Sequence, residues 1–193
     1  DYYMNDDAQT LKIREAYKQF IVKLLMLSGY KKADAERMRD NVMGIEMELA
    51  KVAMTRTEQR DYMAQYNIRT LAEVEKLCPN IDWKQYLTAQ YLPIVDSMCV
   101  MQLKSLEKVN ELIANKSMRE IKDYLIFHLV NSASDYLGDN FRKVNFEMSS
   151  TISGAEQDRP RWKRALSVPD GMLGEALGQI YVKKYFPEES KQR

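Results

Sequence analysis

The sequence predicts an all-α domain built from several long amphipathic helices, and three observations support that fold class. Apolar residues recur at spacings of three and four over most of the 193-residue chain, which is typical of helices with one buried face. Glycine and proline, which β-rich proteins use in turns, number only 7 and 5. Serine, threonine and aspartate precede several apolar segments at positions where they can cap a helix.

The first helix is predicted to be about 20 residues long, which is about six turns. Its start can be capped by Asp6 or Asp7, and Gly29 can end it in a left-handed conformation. Its apolar stripe consists of Leu11, Ile13, Tyr17, Phe20, Ile21, Leu24, Leu25 and Leu27. A stripe of this width predicts a helix that packs against the core of the domain.

The second helix is expected from about Asp34 to Met54, with an apolar set at Met38, Val42, Ile45, Leu49, Val52 and Ala53. Glu46 and Glu48 lie in its middle, and Lys51 can pair with either of them. Because the two carboxylates are two residues apart, they point in different directions and cannot converge on one substrate atom.

Two capping boxes, in which a hydroxyl residue precedes a glutamate by three positions, mark later helix starts at Thr70 with Glu73 and at Ser117 with Glu120. The first box predicts a short helix up to residue 77, and the second predicts a long helix up to residue 136. The apolar face of the long helix is predicted at Ile121, Tyr124, Leu125, His128, Leu129 and Ala133.

The remaining segments are predicted from shorter patterns. Asp82 caps a segment containing Trp83, Tyr86 and Leu87, and further helices are expected at about 101–114, 139–148, 161–166 and 172–186. Residues 95–100 are expected to be extended with at most one β-strand, and 149–160 to form a loop. Pro169-Asp170-Gly171 predicts a turn between the last two helices. With no internal repeat and no clear linker, residues 1–193 are interpreted as a single helical unit.

The charge composition argues against a nucleic-acid partner. The 29 basic and 28 acidic residues give a net charge of +1, whereas nucleic-acid binders concentrate basic charge on one surface. The one dense basic cluster, Arg159, Arg161, Lys163 and Arg164, is short and is interpreted as a solvated loop and first helical turn. No apolar run approaches the 18 or more residues of a membrane-spanning helix.

The sequence predicts no catalytic, cofactor-binding or metal-binding residue in this chain. His128 is the only histidine, whereas a catalytic zinc commonly takes two histidines and a glutamate. Neither H-E-x-x-H, nor a nucleophile motif, nor a phosphate-binding loop occurs. His128 is therefore interpreted as structural. The glycines at 174 and 178 are interpreted as helix-packing positions, and Cys78 and Cys99 as two buried free thiols, with a disulfide between them left open.

Several short motifs follow one another in a fixed order along the chain. They are Asp1-Tyr2-Tyr3, IEMELA at 45–50, Arg60-Asp61 with Tyr66-Asn67 and Thr70-Leu71, Ile81-Asp82-Trp83, Arg161-Trp162-Lys163-Arg164, and LGQIYV at 177–182 with Phe186. In order and spacing they resemble the motifs of the neprilysin family of zinc metallopeptidases. Ala165 departs from the pattern, since many members have cysteine there, and this departure favours a bacterial-type member.

The resemblance implies a non-catalytic helical domain that forms a lid over a zinc-binding catalytic domain of the same polypeptide. It also implies oligopeptide substrates, a zinc ion whose ligands lie outside this chain, and an extracytoplasmic location. Residues from about 158 to 193 would lead towards the catalytic domain. The start at Asp1 rather than methionine indicates a piece of a longer protein. The alternative hypothesis is a stand-alone helical protein-interaction module, which amphipathic helices without a catalytic set also fit.

Overall fold

The structure is a computed structural model that describes residues 2–186 and 190. Helices dominate the described residues, and the strands found there form one two-stranded sheet, so the all-α class is confirmed. By its internal contacts the chain divides into two compact units, the first ending at Ser153 and the second beginning at Gly154. The prediction of one continuous helical unit over 1–193 stays a prediction.

The described elements alternate long helices with short connections. The helices are α1 Ala8–Leu27, α2 Lys32–Val52, α3 Tyr62–Gln65, α4 Leu71–Leu77, α5 Trp83–Ala89, α6 Leu103–Asn115, α7 Met118–Ala133, α8 Asp139–Ser153 and α9 Arg161–Tyr185. The strands are β1 Ile68–Thr70 and β2 Ser97–Cys99, which pair antiparallel. Two short 3₁₀ helices occupy Glu58–Arg60 and Ser134–Tyr136.

The ends of α1 follow the predicted capping chemistry. Of the two candidate aspartates, Asp7 is the N-cap, and its carboxylate accepts a hydrogen bond of 3.0 Å from the backbone N–H of Thr10. Bonds from the Thr10 backbone and hydroxyl lower the pKa of this carboxyl group. Gly29 follows the helix with a φ of 94°, a left-handed conformation that glycine adopts without steric cost.

Both predicted capping boxes are confirmed. Ser117 Oγ accepts from the Glu120 backbone N–H at 3.2 Å, and the Glu120 carboxylate accepts in return from the Ser117 N–H at 2.9 Å. Thr70 and Glu73 make the same reciprocal pair at the start of α4. The backbone bond from Ser117, followed by a bond from Lys116, lowers the pKa of Glu120 to about 2.

Replacing Ser117 with alanine should lower the free energy of unfolding by about 1 kcal/mol, because the first turn of α7 loses a capping acceptor. Urea denaturation of the full chain measures this loss. Because the fold lowers the pKa of Glu120 to about 2, its ionised carboxylate stabilises the fold. This stabilisation is fully present above the ordinary pKa of 4.5 and is lost as pH falls towards 2. Ser132→Ala, at an exposed site late in the same helix, is the control. Equal effects of the two changes would contradict the capping role.

The core of the first unit lies where α1, α2 and α7 meet, with α8 packed against α1. Its buried members are Phe20, Ile21, Val22, Leu24, Leu25, Ala35, Met38, Val42, Met43 and Phe127. The Phe127 ring packs edge-on against Tyr17 and Phe20, with centroid distances of 6.1 and 6.3 Å. Most of the apolar residues predicted for the first two helices face this core, but Leu11, Leu27 and Ala53 are exposed.

The predicted apolar face of α7 is confirmed at Tyr124, which packs against the core, and is wrong at Leu125 and Leu129. Leu125 and Leu129 are exposed, whereas Phe127 is fully buried and Asp123 is buried beside it on the same face. Asp123 accepts from the Arg37 guanidinium and, at 2.7 Å, from the Asn41 amide, both on α2. A buried carboxylate needs such partners. Because a charged residue interrupts the apolar pattern, the sequence alone does not mark this side of α7 as buried.

The two helices nearest the end of the chain are longer than predicted. Helix α8 continues to Ser153, over the first part of the expected loop, and the Thr151 hydroxyl there donates to the Glu147 carbonyl at 2.9 Å. Helix α9 continues through Pro169 and is kinked at Leu173, whose backbone is non-helical, so the expected break between two helices is present but lies just after the predicted turn. Residues 169–171, where the turn was expected, are helical instead, and Gly171 has no left-handed φ.

Two smaller predictions also need correction. Cys78 is buried, but Cys99 is exposed on β2, and both thiols are free, so the pair is neither doubly buried nor a disulfide. At Gly174 and Gly178 an added Cβ would meet no described atom within 4 Å. Close packing therefore does not explain these glycines within the part of the chain that the structure describes.

Candidate functional site

A buried carboxylate on α2 organises the most polar part of the first unit. Glu46 is only 9% exposed. Its Oε2 accepts from the Tyr3 hydroxyl at 2.7 Å, and its Oε1 accepts from the Tyr17 hydroxyl at 2.9 Å. The Tyr3 hydroxyl reaches it from the segment before α1, so this carboxylate links three parts of the chain that are distant in sequence.

The single histidine lies beside the same carboxylate. His128 Nε2 is 3.1 Å from Glu46 Oε1, but the two atoms are not aligned for a hydrogen bond. The Tyr124 ring is tilted against the imidazole at a centroid distance of 4.3 Å. No cluster of three metal-ligating side chains occurs among residues 2–186 and 190.

The surroundings of Tyr3 and Tyr17 fix their protonation state. Burial, and then the charge of Glu46, raise the pKa of both phenols well above the ordinary tyrosine value of 10.0. Both therefore stay protonated and donate to the carboxylate at neutral pH. A carboxylate held by two such donors is suited to fixing the chain and not to moving protons.

Arg14 anchors the segment before α1 from a second direction. Its guanidinium donates to the backbone carbonyl of Tyr2 at 3.2 and 3.1 Å and to that of Asn5 at 2.6 Å. It also contacts Asp6 at 3.2 Å. Of the predicted opening motif, Asp1 lies outside the described residues, while Tyr2 and Tyr3 are fixed by Arg14 and Glu46.

An open groove of about 850 Å³ adjoins this anchor. Its lining residues come from the opening segment, the end of α2, the following turn and the start of α6; they include Met4, Leu49, Met54, Gln59, Met101 and Gln102. A second groove of about 580 Å³ shares part of this wall. Met4 and Met101 are 44% and 58% exposed, so flexible thioethers are available to a ligand in the larger groove.

Side-chain hydrogen bonds hold the groove walls together. Gln102 Oε1 accepts from the Met54 backbone N–H at 2.9 Å and from Ser105 Oγ at 3.2 Å. The Gln59 amide donates to the Met54 carbonyl at 2.7 Å. These hydrogen bonds therefore stabilise the turn after α2 internally and connect it to the start of α6.

The predicted divergence of the two glutamates of α2 is confirmed. Glu48 pairs with Lys51 on its own helix and lies 4.0 Å from Lys108 of α6, while Glu46 points towards the tyrosines. Sequence reasoning missed the groove, because Gln59 and Gln102 belong to no motif. The link from Tyr3 to Glu46 did have a signal, since each residue belongs to one of the ordered motifs.

Several other motif residues make contacts within the described chain. Trp83 Nε1 donates to the Cys78 carbonyl at 3.0 Å, and the Asn67 carbonyl accepts from the Val100 N–H at 2.9 Å. In the second unit, Arg164 donates to the Arg159 carbonyl at 3.0 Å, and Lys163 lies over the Trp162 ring. No helix in the described ranges is both long and apolar enough to cross a lipid bilayer.

Comparison with known proteins gives consistent results at the levels of sequence and structure. The chain is 31% identical to the neutral endopeptidase of Lactobacillus helveticus, over 96% of this chain and 30% of that protein. It is 26% identical to neprilysin-1 of Caenorhabditis elegans, over 99% of this chain and 27% of that protein. The chain thus spans less than a third of these relatives.

Solved structures show the same fold. The open state of the Mycobacterium tuberculosis zinc metalloprotease Zmp1 superposes with a TM-score of 0.90 and 26% identity, over 100% of this chain and 30% of that one. PepO from Lactobacillus rhamnosis superposes with a TM-score of 0.87 at 16% identity, over 97% of this chain and 30% of that one. The sequence profile described as Peptidase family M13 matches residues 1–193. The anchored opening segment, the helical fold and this full-length match agree, and the chain belongs to Peptidase family M13.

Proposed function

We propose that this chain is the non-catalytic, substrate-enclosing helical part of a zinc metalloendopeptidase that hydrolyses oligopeptides. Two facts together carry the proposal: the family match covers residues 1–193, and the chain contains one histidine. Its own residues do not fit a zinc site, so the ion and the residues that bind it belong to another part of the polypeptide. This chain encloses the substrate, and hydrolysis takes place in another part of the polypeptide.

Enclosure acts physically by excluding water and by limiting what reaches the metal. A folded protein cannot thread a closed chamber, whereas a short flexible peptide can. The groove beside the Glu46 anchor offers thioethers and amides, which adapt to many peptide sequences. The anchor itself holds the groove wall in one place while peptides of different sequence enter.

Exposed apolar residues support the catalytic domain of the same polypeptide as a partner. In the second unit, α9 exposes Trp162 at 60%, Met172 at 80% and Ile180 at 65%. In the first unit, Leu125 and Leu129 of α7 are exposed at 58% and 70%. Apolar side chains in such number mark surfaces that pack against other protein. An extracytoplasmic location remains part of the proposal and rests on the family resemblance alone.

Narrowing the groove in the full-length enzyme should change which peptides are cleaved. Met101→Trp adds bulk at an exposed groove position, so kcat/KM for long peptides should fall about tenfold while short peptides are little affected. A series of quenched fluorescent peptides of increasing length measures kcat/KM at each length. Met118→Trp, at an exposed position on α7 outside the groove residues, is the matched control.

A uniform fall in kcat/KM at every peptide length in Met101→Trp would contradict the filtering role of the groove.

The chain alone, supplied with zinc and the same peptides, should show no hydrolysis that a chelator suppresses. Hydrolysis that depends on zinc in that assay would contradict the assignment of this chain as non-catalytic.

A further inference from the structure

The two strands of the small sheet leave one backbone edge open. Ile68 lies opposite Cys99, and Thr70 lies opposite Ser97. Hydrogen bonds flank the ladder from Val100 to Asn67 and from Leu71 to Asp96. Because bonded and non-bonded pairs alternate in an antiparallel ladder, the N–H and C=O groups of these four strand residues point away from the partner strand.

Side chains close the outer edge of β1. The Ile68 carbonyl accepts from the guanidinium of Arg69 at 2.7 Å, and the Thr70 N–H donates to the Glu73 carboxylate at 2.7 Å. A strand that would pair along β1 therefore meets one acceptor and one donor that are already bonded. Native proteins commonly protect exposed edges with charged side chains in this way.

The outer edge of β2 has no such protection. Ser97 and Cys99 are both exposed, and no hydrogen bond within residues 2–186 and 190 uses their backbone N–H or C=O groups. The hydrogen bond of Cys99 to the Gln65 carbonyl, at 3.4 Å, comes from its thiol and does not involve its main-chain groups. Two donors and two acceptors, spaced as in an extended strand, therefore face outward together.

The segment leading into β2 is apolar and exposed. Leu92 and Ile94 are 52% and 60% exposed, and Tyr91 is 97% exposed. Tyr91 also has a φ of 56°, a conformation that costs a bulky residue about 1–2 kcal/mol compared with glycine. The segment thus presents an apolar surface next to the open edge of β2.

We propose that the open edge of β2, with Ile94 beside it, binds an oligopeptide in an extended conformation as a third strand. Only an extended backbone presents alternating donors and acceptors that match Ser97 and Cys99. Ile94 lies three residues before Ser97, within about 10 Å along an extended chain, so it can contact apolar side chains of that strand. The peptide nature of the ligand rests on the proposed function, but binding at the edge is testable without catalysis.

The test measures binding of a capped hexapeptide of alternating threonine and valine to the full chain by titration calorimetry. Ser97→Pro removes an outward N–H without removing a ladder bond to β1, so binding should weaken about fivefold. Ile68→Pro removes the equivalent outward N–H from the closed edge and should leave binding unchanged. The same hexapeptide with N-methylated amides should not bind, because it cannot donate to the outward carbonyls of β2.

Equal affinity in the wild-type chain and in Ser97→Pro, or binding of the N-methylated peptide, would overturn strand addition at this edge. Absence of any binding by the wild-type chain would overturn it as well. None of these outcomes bears on the length preference of the full-length enzyme, which tests enclosure separately. The circular dichroism of each variant shows that a loss of binding does not come from unfolding.

Discussion

Replacing Phe127 with alanine should lower the free energy of unfolding of the chain by about 3–5 kcal/mol. The side chain is 0% exposed, and its ring lies at the junction of α1, α2 and α7 against Tyr17 and Phe20. Removing the ring loses its burial and leaves a cavity that three rigid helices cannot close. Denaturation in urea, followed by far-ultraviolet circular dichroism, measures the change.

A matched control lies two residues away on the same helix. Leu129 is 70% exposed, so Leu129→Ala should change the free energy of unfolding by less than about 0.5 kcal/mol. Periodicity alone selected Leu129, and not Phe127, as part of the buried face. A larger loss at Leu129 than at Phe127 would mean that α7 faces the core as the sequence pattern suggested and not as the structure shows.

Helix positions were predictable where the local chemistry is self-contained. The boxes at Thr70 and Ser117 and the cap at Asp7 satisfy backbone donors within one turn, so a few residues of sequence identify them. The inward face of α7 was predicted only in part, because it contains Asp123. That carboxylate is acceptable in the core only because Arg37 and Asn41, more than 80 residues earlier in the chain, donate to it.

The candidate site depended on partners far apart in sequence. Tyr3 and Glu46 are 43 residues apart, and no period predicts such a pair, although family motifs contain both residues. The strand β1 was missed because three residues are too few to show an alternating pattern. Its partner, β2, determines its register, and that pairing follows from tertiary structure.

Replacing Glu46 with alanine should lower the free energy of unfolding by about 3 kcal/mol. The change leaves the half-buried hydroxyls of Tyr3 and Tyr17 without the acceptor that both now share, and hydrogen bonds to a charged group contribute about 1.5–3 kcal/mol each. Urea denaturation at neutral pH measures the loss. Glu48→Ala on the same helix should have little effect, because that carboxylate is exposed and pairs only with lysines.

The same variant should also respond differently to alkaline pH. Burial and the charge of Glu46 raise the folded-state pKa of Tyr3 and Tyr17 above the ordinary value of 10.0. Their protonated forms therefore stabilise the fold fully below pH 10, and this contribution is lost as pH rises beyond it. Without the charge of Glu46, the folded-state pKa of both phenols lies closer to 10.0, so Glu46→Ala should lose less stability than the wild-type chain as pH rises from 9 towards 12. Parallel curves of unfolding free energy against pH would show that the carboxylate does not govern the two tyrosines, and the anchor of the opening segment would then rest on Arg14 alone.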